Sequence, residues 1–136
     1  MLQVLVDADN VPAARLAVLV DALHSLPVEQ RLVVAGHPDA LSDVDWPAYA
    51  ELTPAQGWQR ADLTLAAAYH PAPEPLILAS GDSDFVQLAT RHPGPVLIVS
   101  EAPAGRFHDV ATVVDPLHDP VRLQEWLAAA VTFADG

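Results

Sequence analysis

The chain has no cysteine and no lysine. Without cysteine there are no disulfides and no thiolate metal sites, and nothing calls for an oxidising compartment. Without lysine every base is an arginine: six of them face eighteen acids, for a net charge of −12. A chain this acidic does not capture nucleic acid through a broad basic surface, because that part of binding comes from basic contacts to phosphate. The six histidines stand singly, with no HxxxH pair, so there is no zinc pattern. A glycine-rich phosphate loop is missing too, since GHPDA and AGRF do not fit one. The opening MLQVLVDADN has no basic leader and reaches an aspartate at position 7. It reads as neither a signal peptide nor a membrane span, and the expectation is a soluble cytoplasmic protein with no membrane contact.

What is there is an apolar chain of one-domain length, 136 residues with about half of them hydrophobic, expected to form a single domain over 1–136. Leu2 to Val6 is a continuous apolar run ending at Asp7, which suits a strand buried on both faces. Pro12 opens a helix with Leu16, Leu19, Val20 and Leu23 at helical spacing. Arg31 to Ala35 predicts a second strand, 37–48 a loop or broken helix, and Tyr49 to Leu52 a short strand. Ala61 to Tyr69 predicts a helix stopped by the prolines from Pro71 to Pro75. Leu76 to Ala79 is a strand that runs into SGDSD, followed by a helix that turns Phe85, Leu88 and Ala89 inward. Pro95 to Val99 and Thr112 to Val114 are further strands. Asp119 caps a last helix with Pro120 at its first position and Leu123, Trp126, Leu127 and Ala130 on one face. The alternation implies an α/β fold, a mostly parallel sheet with helices on both faces.

Most of the acids are a solvated, self-repelling surface. A few stand where that account fails. In open α/β sheets ligands sit outside the carboxyl ends of the strands, and two apolar strands here end in aspartates: VLV runs into Asp7, Ala8, Asp9 and Asn10, and LILA runs into Ser80, Gly81, Asp82, Ser83 and Asp84. If the strands are neighbours, these groups meet. Two carboxylates about 4 Å apart repel by roughly 4 kcal/mol at an effective dielectric near 20. A fold that gathers them needs a proton or a cation, and hard oxygen ligands suit magnesium or manganese. Asp62 is a third element, on the stripe of Leu65, Ala66 and Tyr69 at a helix start, where it is either a cap or a paired inward acid. Asp82 or Ser83 could likewise cap the helix that follows.

The segments DADN (7–10), RADLTLA (60–66) and ASGDSDFVQL (79–88) resemble, in order and spacing, the motifs of NYN domains in the PIN-like nuclease superfamily. The resemblance covers about residues 1–115, and SGDSDF after an apolar strand is its most specific part. It implies a Rossmann-like PIN fold and hydrolysis of RNA phosphodiesters, with single-stranded RNA as partner and magnesium or manganese as cofactor. Asp7, Asp62, Asp82 and Asp84 would then be the catalytic metal ligands or their supports. Asn10, Arg60 and Ser80 would orient the site or touch substrate, and Ser80 and Ser83 could hydrogen-bond the carboxylates. Where many NYN domains carry a further aspartate on the mid-chain helix, this chain has Ala68. A homodimer and a regulatory protein partner both stay open.

Two other readings stand beside this one. LVDADNV also fits the opening of haloacid dehalogenase-like phosphatases, with Asp7 as nucleophile and Asp9 as acid, but those enzymes use a lysine that this chain lacks. A NYN-like fold that binds without cutting is the other, favoured by Ala68 and the acidic surface. Trp46, Trp58 and Trp126 read as core or loop anchors, with Trp58 placed to stack on an RNA base.

Overall fold

The computed structural model describes residues 1–55 and 60–135. Six strands form one all-parallel sheet: β1 (Leu2–Asp7), β2 (Gln30–Gly36), β3 (Glu51–Pro54), β4 (Leu76–Ala79), β5 (Val96–Val99) and β6 (Thr112–Val114). Their order across the sheet is β3-β2-β1-β4-β5-β6. Every residue of β1, β4 and β5 is buried, as their unbroken apolar runs require of strands covered on both faces.

The two faces divide the core by strand parity. Val4, Val6, Ile77, Ala79, Leu97 and Val99 point to one side. They pack there against Leu16, Leu19 and Leu23 of α1 (Ala13–His24) and Leu123 and Leu127 of α5 (Pro120–Asp135). Leu41 of the short α2 (Pro38–Ser42) joins the same cluster. On the other side Leu5, Leu76, Leu78 and Ile98 meet Ala61 and Leu65 of α3 (Ala61–Ala68). Val86 and Ala89 of α4 (Val86–Arg91) and Phe107 complete that layer. This is a Rossmann-like α/β architecture with helices on both faces.

Several elements differ from the sequence expectation. The third strand lies at Glu51–Pro54 and is mostly exposed. It is an edge strand with β2 as its neighbour, so burial leaves no clear pattern in its side chains. Segment 37–48 contains the single turn of α2, capped by the His37 ring, which accepts the Asp39 N–H. After SGDSD the chain first makes a tight turn of 3₁₀ helix, Ser83–Phe85, before α4 begins. A second such turn, Gly105–Asp109, was not anticipated. At α5, the Asp119 carboxylate accepts the Arg122 N–H at 3.1 Å, as its place before Pro120 predicts. Trp46 packs on the first core and donates its indole N–H to the Leu41 carbonyl, an anchoring role. Among the described residues no helix is long and apolar enough to cross a membrane.

The strand order decides where chemistry can happen. From β1 the chain winds outward through β2 and β3, then returns beside β1 and winds the other way through β4, β5 and β6. Where the direction reverses, the loops leaving β1 and β4 part and open a crevice. The register pairs Val6 with Ala79, so Asp7 and Ser80 leave the sheet side by side at its carboxyl edge.

Candidate metal centre

Asp7, Asn10, Ser80 and Asp82 meet at this switch point. The Asp7 carboxylate is buried, 5 % exposed. One oxygen accepts the Asp9 N–H at 3.2 Å and the other accepts the Ser80 hydroxyl at 3.4 Å. Burial is the main force that pushes its pKa up to about 6. The Asp9 N–H works against this, and the charges of Asp9 and Asp82 add to it. Ser80 is fully buried, and its oxygen also accepts the Asp82 N–H at 3.2 Å. It therefore supports the carboxylates and has no surface to offer a substrate. Asn10 accepts the Gly81 N–H at 2.7 Å, tying the loop after β1 to the loop after β4.

Above this base three carboxylates converge. Asp62, Asp82 and Asp84 each offer an oxygen within 4.8 Å of the others. Asp7 stands outside that group. Asp62 comes from the first turn of α3 and is 9 % exposed. It is not the helix cap, since Arg60 holds that position without a side-chain hydrogen bond. Asp82 does have a capping role, accepting the Asp84 N–H at 3.0 Å across the tight turn. Asp84 is held above the usual carboxylate range, first by a hydrogen bond shared with Asp62 and then by the charge of Asp82.

Arg60 lies over two of the three acids. Its guanidinium is 2.9 Å from Asp84 and 3.1 Å from Asp62. It supplies one positive charge, a partial counter-charge to the gathered carboxylates. Asp9 is engaged elsewhere, accepting the His37 N–H at 2.8 Å and fastening the loop after β2. Ala68 sits at the far end of α3, about 9 Å along the axis from Asp62. Ser83 is exposed, and Trp58 lies outside the described residues.

Two features escaped the sequence reading. Gly81 is wedged against the loop after β5, where an added Cβ would lie 2.6 Å from the Ser100 hydroxyl and 2.7 Å from the Ala102 carbonyl. Beside the acids, a groove of about 670 Å³ opens between α3 and α4. The spacing of Asp84, Leu88 and Arg91 along one helix face is the signal that could have pointed to the groove. Comparison of the chain with protein-family models, with curated proteins and with solved structures finds no match.

Proposed function

We propose that this chain is a metal-dependent ribonuclease of the NYN, PIN-like type, hydrolysing phosphodiester bonds of single-stranded RNA with magnesium or manganese. The observation that carries the reading is the convergence of Asp62, Asp82 and Asp84 outside the carboxyl ends of β1 and β4. The donor set is all carboxylate oxygen, which fits a hard divalent ion and not zinc, and Arg60 would give way to the ion. These three residues would hold it. When bound, such an ion supplies Lewis acidity at the attacked phosphate and acidifies a water. Asp7 supports the centre from below through Ser80, whose hydroxyl donates to Asp7 while its oxygen accepts the Asp82 N–H. Arg60 is the base nearest to a phosphate held there. A chain without cysteine acting on RNA suits the cytoplasm.

One observation favours a second reading, a NYN-like domain that binds without cutting. Arg60 pairs with both Asp62 and Asp84, so part of the repulsion among the acids is offset without an ion. The phosphatase alternative is weaker, because Asp9, its general acid, is spent on the His37 N–H and lysine is absent.

Cleavage of single-stranded RNA with manganese, set beside turnover of p-nitrophenyl phosphate, tests the proposal. The parent cuts RNA, and Asp9→Ala retains most of that activity. Asp62→Ala loses about 100-fold or more, since even outer partners of a metal typically cost about 10–100-fold. Phosphomonoester turnover lost in Asp9→Ala and kept in Asp62→Ala would instead assign the phosphatase. A parent inactive on both substrates assigns the non-cutting domain.

A further inference from the structure

The groove beside the acids is built by the same helix faces that carry them. Leu63 and Ala66 of α3, and Tyr69 just past its end, follow Asp62 along the groove; from the turn into α4, Gln87, Leu88 and Arg91 follow Asp84. Residues three and four apart share a helix face, so each acid begins a stripe that continues as a groove wall. The walls between the charged ends carry apolar side chains, Leu63 among them at 64 % exposed. Tyr69 is held rigidly. The Glu74 carbonyl can only accept, so His92 donates to it from Nε2 at 2.6 Å. That leaves His92 Nδ1 to accept the Tyr69 hydroxyl at 2.7 Å.

The charge along the groove is polarised. One end holds Asp62 and Asp84 with Arg60 paired to both, the other Arg91. Arg15, Arg31 and Arg60 are each ion-paired with an acid. Arg91, Arg106 and Arg122 have no such pair among the described residues, and of these Arg91 alone lines the groove, where it is exposed. On a chain with six bases against eighteen acids, an uncommitted arginine at the end of an apolar trough is a local exception to the repulsion of phosphate.

We infer that the α3–α4 groove is the track for single-stranded RNA leaving the carboxylate centre, its apolar walls receiving a base and Arg91 a backbone phosphate. Sequence-tolerant single-strand binding has this form, an apolar or aromatic surface for the base faces with a cation for the backbone. The metal end of the track rests on the ribonuclease reading; the Arg91 end does not.

The test uses the full chain, a labelled oligouridylate whose phosphorothioate linkages resist hydrolysis, and fluorescence anisotropy at several salt concentrations with manganese. Arg91→Glu is expected to weaken binding on the order of tenfold and to reduce the salt slope by about 0.7, the loss of one single-strand phosphate contact. Arg91→Lys keeps most of the affinity. Arg122→Glu makes the same charge change on α5, on the opposite face of the sheet, and leaves binding within about twofold. Melting temperature with and without manganese is read in parallel. Equal losses in Arg91→Glu and Arg122→Glu, or none in Arg91→Glu, overturn the track while a manganese-dependent melt leaves the metal reading standing. A melt indifferent to manganese with RNA binding still lost in Arg91→Glu does the reverse. A parent that binds no RNA overturns the track and gives the groove to an occupant of another class.

Discussion

At the end of β1 the Asp7 carboxylate carries a pKa of about 6 against an ordinary value of 3.8, with burial as the leading cause. Between those two pH values the folded state holds the proton that the unfolded chain has released. Stability contributed by this group therefore falls as pH rises from about 4 to about 6 and is level above, a cost of about 3 kcal/mol at most. Asp7→Asn keeps the shape and removes the charge. Without metal it is expected to melt above the parent at pH about 7.5 and close to it at pH about 3.5, as read by thermal melts across that range. An equal difference at both ends would mean that packing, and not ionisation, separates the two proteins. That Asp7 ends a strand was legible in the sequence. Its place beneath the other acids was not, because it depends on β4 lying alongside β1 and on Ser80 bridging the two. The same holds for Asn10, whose bond to the Gly81 N–H crosses from one loop to the other.

Among the elements, the turn from β4 into α4 is held from two sides. Asn10 takes its Gly81 N–H, and the loop after β5 closes on it where Gly81 has no Cβ; the Ala104 N–H donates to the Gly81 carbonyl at 2.9 Å. Gly81→Ala is expected to lower stability by about 1–3 kcal/mol and to weaken any metal-dependent stabilisation, because the obstructing Ala102 carbonyl and Pro103 Cα are backbone and cannot swing away. Gly105→Ala meets nothing within 4 Å and is the control, expected to be neutral or more stable by about 0.5 kcal/mol. Paired melts of the two variants check this, and an unchanged Gly81→Ala would show that the turn yields. Buried strands and capped helices were legible from apolar runs and from Asp119–Pro120. The edge strand was placed two residues early, because exposed side chains carry no periodic signal.

Over the whole molecule, a charge of −12 makes the folded chain self-repelling. Added sodium chloride is expected to raise the melting temperature by screening this repulsion. Manganese at matched ionic strength is expected to raise it further, by about 3 kcal/mol of stability at a hundredfold excess over its Kd. Asp82→Asn should lose the second increment and keep the first, which calorimetry in both salts would separate. A manganese effect no larger than that of sodium chloride would reduce the acidic centre to surface charge. The sequence by itself determined the local chemistry: apolar runs long enough for strands buried on both faces, alternation with amphipathic helices, and aspartates at the ends of β1 and β4. Only the tertiary structure decided that Asp62, Asp82 and Asp84 converge while Asp7 stands apart, that Arg60 lies across two of them, and that Arg91 closes the same groove. Periodicity fixes which way a side chain points within its own element. Strand order and the rotation of α3 and α4 against the sheet fix the distances between elements far apart in the chain, and those follow from packing the whole core.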